Sequence, residues 1–225
     1  MRPQHLITLL VPLLLCACVS TETLQKKKAE RLEQKQILSL KDGNAAHHQA
    51  FRESKGAKSK IFRDEAVLAV AKAENMRVEI VLDEQRGYLF VKELIAYDFP
   101  VSTGRKGHRT PTGDFKILAK ELKHKSNLYG KVVDAEGNVT VSNADFNKTK
   151  IEAGDIFEGA AMPYFMRLTN DGVGMHIGQL PGYAASHGCI RMPSRVTPEI
   201  YKLAPIGTPV SVVENRTLPT GKPAS

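Results

Sequence analysis

Short apolar segments separated by turns recur from residue 78 onwards in this 225-residue chain. In the first segment Val78, Ile80 and Leu82 alternate with their neighbours, which is the two-residue period of a strand with one buried face. Many short strands with Gly and Pro turns predict a mainly β domain, a sandwich or barrel-like core with a few short helices. Further strands are predicted at 89–91, 99–101, 115–118, 131–133, 139–142, 165–168, 173–177 and 210–213.

Two short helices are predicted beside these strands. Over residues 64–74 the apolar positions Val67 and Val70 lie on one helical face, and Asp64 is placed to cap the start. The second helix covers residues 198–203. Apolar residues make up 42% of the chain and charged residues 25%, which excludes a wholly disordered protein.

The amino terminus has the pattern of an export signal. A mostly apolar run from Leu6 to Ala17 follows a single Arg, and this length is typical of a signal peptide and short for a membrane span. The run ends in Leu-Cys-Ala-Cys, which resembles a bacterial lipobox. The resemblance implies removal of residues 1–17, lipid on Cys18, and a periplasm-facing protein, with Val19 favouring the outer membrane over the inner. An ordinary signal peptide with an incidental cysteine is the alternative.

The residues after this signal are polar and of mixed charge. They predict a helical or disordered tether over 18–63, with the sequence Asp-Gly-Asn at 42–44 ending any helix. The net charge of the whole chain is +8. Because a charge run is usually a solvated face, we expect no nucleic-acid partner.

Export leaves one cysteine to explain. The chain has three cysteines, too few for a disulfide scaffold. Cys16 leaves with the signal and Cys18 is tied to lipid, so Cys189 remains as a lone thiol in an oxidising compartment. Such a thiol indicates a reactive role or an intermolecular partner, with a buried, inert cysteine as the alternative.

The segment GMHIGQLPGYAASHGCIRMP, residues 174–193, surrounds this thiol with histidines, an arginine and small residues. A thiolate is a nucleophile, and a nearby imidazole can take the thiol proton. His176 lies thirteen residues before Cys189, at the end of a predicted strand that a return loop can bring beside the thiol. His187 is only two residues away and shares a face with Cys189 if the segment is extended.

The SHGCIRM run resembles the L,D-transpeptidase catalytic domain, the YkuD family. The resemblance extends over residues 78–214 through VEIVLDEQRGYLFV, FPVSTGRKGHRTPTGDFKI, MPYFMRL and GTPVSVV. It implies Cys189 as nucleophile, His176 as general base, and the carbonyl of Ile177 or Gly178 as the third member of the catalytic set. It further implies a site-shaping or oxyanion role for Ser186, His187 and Gly188, and substrate binding by Arg191 and Tyr164.

The reaction implied by this family is acyl transfer without a cofactor or metal. Cys189 attacks the carbonyl of diaminopimelate in a peptidoglycan tetrapeptide stem, D-Ala leaves, and an amine takes the acyl group from the thioester. The acceptor is another stem, giving a 3→3 cross-link, or a lysine of a wall-anchored protein. The backbone N–H groups at 188–189 are plausible oxyanion donors. Arg191 pairs with a substrate carboxylate or holds the loop.

The predicted organisation is a signal peptide at 1–17, a tether at 18–63, a short helix and linker at 64–77, the catalytic domain at 78–214 and a flexible tail at 215–225. Hydrolytic use of the same site, as a carboxypeptidase or in cleavage of protein–wall links, is the main alternative. A zinc peptidase using His176, His187 and Cys189, and a non-catalytic wall-binding lipoprotein, are less favoured. The other histidines receive no role, with His108 and His124 expected at the surface, and the segments 102–104 and 110–113 are expected to be turns.

Overall fold

The computed structural model of the protein describes residues 11–216, with side-chain surroundings from residue 21 onwards. Residues 1–10 of the predicted signal, the side chain of Cys18 and residues 217–225 of the predicted tail lie outside the described part. Short 3-10 turns occupy Ala57–Ser59 and Ala73–Asn75. The helices and strands are α1 (Val11–Glu53), β1 (Phe62–Arg63), α2 (Glu65–Leu68), β2 (Met76–Val81), β3 (Arg86–Val91), β4 (Leu94–Pro100), β5 (Gly113–Lys116), β6 (Ala119–Val133), β7 (Val139–Asp145), β8 (Ile156–Arg167), β9 (Gly174–Ile177), β10 (Ile190–Met192), α3 (Thr197–Leu203) and β11 (Pro209–Val213).

The first sheet has six strands in the spatial order β1-β4-β3-β2-β11-β5. The predicted opening strand is confirmed as β2, which pairs antiparallel with β3 so that Val78 lies opposite Leu89. The last strand, β11, returns to β2 in parallel and places Val210 beside Val78. The ends of the folded domain therefore meet in the middle of this sheet.

The second sheet has five strands in the order β10-β9-β8-β6-β7. Strands β6 and β8 have 15 and 12 residues and pair antiparallel along most of their length. The sequence predicted only short parts of them, because residues 119–126 of β6 are mostly polar and residues 158–161 of β8 are charged or small, so neither stretch shows an apolar period. This long strand pair extends beyond the core and forms one wall of the cavity described below.

The main hydrophobic core lies between the two sheets, which confirms the predicted mainly β, sandwich-like fold. Alternate residues of the second sheet point into it, and α3 closes one end. Because burying a large aliphatic or Met side chain stabilises the fold by about 1.5–3 kcal/mol, this cluster is the main source of stability. Its fully buried members include Val78, Ile80, Leu89, Phe99, Met166, Met175, Ile190, Met192 and Ile200.

Helix α1 is longer than expected and docks on the first sheet. The predicted end at 42–44 is wrong, since the helix continues to Glu53. Asn44 is buried, and its amide group donates to Ile95 O at 2.9 Å and accepts from Ile95 N at 2.9 Å. Gly43 lies within this helix, where a glycine costs about 1 kcal/mol relative to alanine. The two hydrogen bonds between Asn44 and β4 outweigh that cost.

Two further salt bridges and a buried side chain hold α1 on the sheet. His48 Nε2 lies 2.8 Å from a carboxylate oxygen of Asp98, which is itself buried and paired with Arg86 at 2.5 Å. Glu33 binds Lys72 at 2.5 Å, and Ile37 enters the core. His48, which received no role from the sequence, thus helps to join the tether region to the domain.

The helix predicted at 64–74 is shorter than expected. The cap is confirmed, because the Asp64 carboxylate accepts from Val67 N at 3.1 Å. The helix ends at Leu68 because the buried Asn75 side chain donates to Val70 O and accepts from Lys72 N, which turns the chain into β2. Since β1 and α2 pack on the first sheet, the folded unit begins before residue 78.

No helix within residues 11–216 is both long and apolar enough to cross a membrane.

Candidate active site

The outer face of the second sheet carries the residues of the predicted site in two neighbouring rows. The pairings Met166–Met175 and Met175–Ile190 point into the core, so the residues before and after them point outwards. One outward row runs from Arg167 through Gly174 to the position of Cys189.

The second outward row contains His176 and Arg191, which are direct register partners across β9 and β10. Cys189 and His176 are therefore diagonal neighbours on one face, with Cα atoms on the order of 8 Å apart from strand spacing and rise. Their side chains line the same cavity. The structure brings the predicted thiol and imidazole together, although they are thirteen residues apart in the sequence.

The thiol of Cys189 is free and largely buried. Its Sγ donates to Gly172 O at 3.7 Å, within the longer range that sulfur allows. Burial raises the pKa of the Cys189 thiol, while a hydrogen bond from Gly174 N and the charges of Arg167 and Arg191 act in the opposite direction. The group is therefore a neutral thiol at pH 7 and needs a base before it can act as a nucleophile.

His176 is oriented to serve as that base. Its Nδ1 lies 2.8 Å from the carbonyl oxygen of Ile177, and since a carbonyl only accepts, Nδ1 carries the proton. The other nitrogen, Nε2, is then an unprotonated acceptor. Burial lowers the pKa of His176 to about 4, so the ring is neutral at pH 7. Of the two carbonyls that the family resemblance offered, Ile177 is the one that orients the ring.

Ser186 holds the segment that carries the thiol. Its hydroxyl donates to Cys189 O at 2.5 Å and accepts from Gly188 N at 3.1 Å. Gly188 has φ 120°, a conformation that side chains disfavour, which explains a glycine beside the cysteine. Because Ser186 occupies the Gly188 N–H, the pair of oxyanion donors expected at 188–189 is reduced to the Cys189 N–H.

Residues of the two segments predicted as turns, 102–104 and 110–113, form hydrogen bonds with the loop that carries the thiol. Thr110 Oγ1 donates to Gly188 O at 2.7 Å and accepts from Gly104 N at 2.8 Å. The Ser102 hydroxyl donates to Tyr183 O at 2.7 Å, and Ser102 forms a bridge to Arg191. Both threonine and serine are buried. These polar residues therefore position the site, which turn propensity alone did not indicate.

His187 does not face the thiol as a proton carrier. Its Nε2 accepts from Arg105 Nη2 at 2.7 Å, and its ring stacks on Tyr129 with centroids 4.2 Å apart. Burial and the Arg105 charge lower the pKa of His187 to about 4. His108, expected at the surface, is half-buried with its ring 4.8 Å from that of His187. His187 therefore shapes the site.

His124 was also expected at the surface and is half-buried instead. Its ring stacks on Phe165 with centroids 4.2 Å apart and lines the cavity. Sequence analysis missed this contact because its strand, β6, is too polar to be recognised.

Arg191 and Gly178 fit together closely. A Cβ on Gly178 would lie 2.7 Å from Arg191 Cγ, so the glycine makes room for the arginine stem. The Arg191 guanidinium forms no salt bridge within residues 21–216, and burial together with the charge of Arg105 lowers its pKa. The arginine stem packs against its neighbours while its charge stays available to a ligand.

Tyr164 lies away from the cavity. Its ring packs edge-on against Tyr201 of α3 with centroids 5.4 Å apart, and its backbone has φ 56°. The neighbouring Phe165 points to the outer face and packs near His176. The structure therefore does not bring Tyr164 to the thiol.

A cavity of about 610 Å³ opens above Cys189 and His176. Its floor is the outer face of β9 and β10, and one wall comes from the extended parts of β6 and β8, including Lys125, Tyr129 and Met162. Sequence analysis did not predict this wall, because the residues that form it lie outside the cysteine motif and show no apolar period.

The charged groups of the cavity are mainly basic. Lys125, Arg167 and Arg191 line it against a single carboxylate, Asp171. An excess of guanidinium and ammonium groups favours a ligand with carboxylates. No group of three or more His, Cys, Asp or Glu side chains in the described part of the chain is placed to hold a metal ion.

Comparison with known proteins identifies the domain. Residues 75–212 match the YkuD family model, the L,D-transpeptidase catalytic domain. No curated protein matches the chain. Among solved structures, an L,D-transpeptidase from Mycobacterium smegmatis is 20% identical over 61% of this chain and 58% of its own, with a TM-score of 0.46.

Two other solved structures have similar values. An L,D-transpeptidase from Stackebrandtia nassauensis is 20% identical over 75% of this chain and 64% of its own, with a TM-score of 0.46. One from Xylanimonas cellulosilytica is 22% identical over 63% and 61%, with a TM-score of 0.45. The chain thus spans about 58 to 64% of these three structures. With a family model matched over more than half of its residues, the chain belongs to the YkuD family of L,D-transpeptidase catalytic domains.

Proposed function

We propose that this protein is a cysteine L,D-transpeptidase that acts on peptidoglycan stem peptides. The observation that carries the proposal is the pairing of a buried, neutral Cys189 thiol with a neutral His176 whose Nε2 is unprotonated, on one face and in one cavity. A thiol with an adjacent imidazole base is an established arrangement for covalent acyl transfer.

In the first half-reaction, the thiol proton moves to His176 Nε2 and Cys189 Sγ bonds to the carbonyl carbon of the diaminopimelate residue. The carbonyl oxygen becomes negative, and the Cys189 N–H is the nearest candidate to stabilise it. The bond from this carbon to the D-Ala nitrogen then breaks, and His176 gives its proton to the departing amine. D-Ala leaves and a thioester remains on Cys189.

In the second half-reaction, the acceptor amine attacks the thioester carbon and gives a proton to His176. The carbon–sulfur bond breaks, and the thiolate takes the proton back. An amine of a second stem gives a 3→3 cross-link, and a lysine of a wall-anchored protein gives attachment. Water in the same position gives hydrolysis, as a carboxypeptidase or in cleavage of protein–wall links.

The rival zinc peptidase receives little support from the geometry. His187 Nε2 already accepts from Arg105, and His176 Nδ1 donates to Ile177 O. The His176 bond leaves Nε2 free and is compatible with a metal ligand, but His187 Nε2 is occupied and no group of three His, Cys, Asp or Glu side chains in the described part of the chain is placed to hold a metal ion.

The test is to incubate the protein with disaccharide tetrapeptide and weigh both protein and products. We expect a thioester on the wild-type protein and release of D-Ala. A dimer lighter by one D-Ala means transfer, and a tripeptide alone means hydrolysis. Cys189→Ala should form neither adduct nor product, whereas Gln179→Ala, at the exposed rim of the cavity, should retain both. Full turnover by Cys189→Ala would refute the proposal.

We also propose that the mature protein begins at a lipid-bearing Cys18 and faces the periplasm, with Val19 favouring the outer membrane. Support comes from the apolar run that ends in Leu-Cys-Ala-Cys. Metabolic labelling with a fatty-acid analogue should mark the wild-type chain but not Cys18→Ala. Labelling of both, or of neither, would contradict this localisation.

A further inference from the structure

Arg167 lies on the same outward row as Cys189, on the opposite side of β9. It pairs with Gly174, and Cys189 is the next position across that row. Gly174 contributes no side chain between them. Arg167 Nη1 lies 3.6 Å from the point that a Cβ on Gly172 would occupy, and Gly172 is the residue whose carbonyl accepts from the thiol. The guanidinium therefore stands next to the sulfur.

The Arg167 guanidinium lies 5.3 Å from the centre of the Phe165 ring, a cation–π contact, but it has no close carboxylate. The closest carboxylate oxygen, from Glu121, is 3.9 Å away, and the other oxygen of Glu121 binds His124 at 2.7 Å. Arg167 makes no side-chain hydrogen bond in the described range, and its side chain is 27% exposed towards the cavity. A half-buried guanidinium with free donors is suited to a carboxylate ligand.

Arg191 lies two residues along the chain from Cys189, in the row of His176, whereas Arg167 lies two strands away from Cys189 across the sheet. In the proposed reaction His176 gives a proton to the departing amine, so the leaving residue must lie on the His176 side. Its terminal carboxylate then falls near Arg191. The part of the substrate that stays on Cys189 can then follow the first row, across Gly174, which has no side chain, towards Arg167.

We infer that Arg167 binds a carboxylate on the acyl part of the substrate, so that the enzyme selects stems with an acidic group on each side of the bond that breaks. This inference rests on the function proposed above. Two carboxylates of the acyl part have the required chemistry, the side-chain carboxylate of diaminopimelate and the α-carboxylate of D-Glu.

The test combines three substrates with the wild-type protein and with three variants. Thioester formation is measured with the acidic tetrapeptide and with two analogues, each amidated at one of these carboxylates. Arg167→Gln removes the charge, Arg167→Lys keeps it, and Lys131→Gln removes a cation of the same sheet that pairs with Glu158 outside the cavity. Alkylation by neutral iodoacetamide over a pH series reports the thiol itself.

With the acidic stem, Arg167→Gln should lower kcat/KM about 10- to 100-fold, mainly through KM, as expected for loss of a charged hydrogen bond. With the wild-type protein, one amidated analogue should react as slowly as the acidic stem does with Arg167→Gln. The substitution should lower kcat/KM for that analogue little further, and this result identifies the carboxylate that Arg167 binds. Arg167→Lys should recover part of the rate, and Lys131→Gln should behave as wild type.

Two results would overturn the inference, and they differ. If Arg167→Gln slows the acidic and both amidated stems by the same factor, the residue acts through the thiol or the fold, while the proposed function stands. If the wild-type protein forms no thioester with any stem, the proposed function fails and the inference fails with it.

Discussion

Replacing Ser186 with alanine should damage both stability and reactivity, because one hydroxyl holds two backbone groups of the thiol segment. It donates to Cys189 O at 2.5 Å and accepts from Gly188 N at 3.1 Å, and Ser186 is 3% exposed. An unsatisfied buried polar group costs about 1–3 kcal/mol, so the two groups together should lower the free energy of unfolding by about 2–6 kcal/mol.

The effect on chemistry should be separable from the effect on stability. A displacement of the nucleophile by about 1 Å can cost on the order of 100-fold in rate, so kcat/KM for thioester formation should fall about 10- to 100-fold. The measurement is made well below the unfolding temperature of the variant, with thermal denaturation followed in parallel.

Ser102→Ala is the matched control. Ser102 is also buried, but its hydroxyl makes one bond, to Tyr183 O, and none to residues 186–189, while its bridge to Arg191 is formed by the backbone and survives the substitution. It should lose about 1 kcal/mol and keep near wild-type reactivity at Cys189. If Ser186→Ala forms the thioester at the wild-type rate, or if both variants slow it equally, the positioning role assigned to Ser186 is refuted.

Since burial holds the pKa of His176 at about 4 against 6.5 when unfolded, the unfolded state binds more protons below pH 6.5. The free energy of unfolding should therefore fall by about 3 kcal/mol as the pH drops through this window, and His176→Gln should lack most of that fall in a denaturation series. Alkylation of Cys189 should keep accelerating above pH 9.0, because burial raises its pKa from that value; a plateau at lower pH would contradict this. Gly178→Ala places a Cβ 2.7 Å from Arg191 Cγ, so KM for the acidic stem should rise about 10-fold while alkylation is unchanged. Asn44→Ala removes three side-chain hydrogen bonds and should expose α1 to limited proteolysis, at a cost of about 2 kcal/mol; an unchanged digestion pattern would argue against docking through Asn44.

The fold and the thiol–imidazole pair were predictable because their signals are local. Within the six residues of β2, Val78 and Ile80 already show the two-residue period of a strand. The strands around His176 and Cys189 are short and apolar. The wall of the cavity was not predictable in the same way. Its strands, β6 and β8, project beyond the core, so residues such as Lys125 need no apolar partner and leave no hydrophobic period.

The docking of α1 escaped prediction for a related reason. The less exposed positions of the helix, at 33, 37, 40, 44, 48 and 51, follow a helical spacing of three and four residues. Half of them are polar, including Glu33, Asn44 and His48, which bond to partners in the first sheet or beside it. A search for apolar periodicity therefore finds only a charged segment, and the Asp-Gly-Asn sequence at 42–44 predicts its end.

The helix α1 is continuous, and its side chains from Thr21 to Leu32 are exposed. Glu33 pairs with Lys72 and fixes this point of the helix on the domain, so in a mature chain that begins at Cys18, as proposed above, 15 residues of helix precede that point and extend by about 22 Å at 1.5 Å per residue. If the proposed lipid on Cys18 holds this end, the length of the helix sets the distance between the lipid and the point where α1 docks on the domain. Adding seven residues to this part of the helix would increase that distance by about 10 Å in nearly the same orientation.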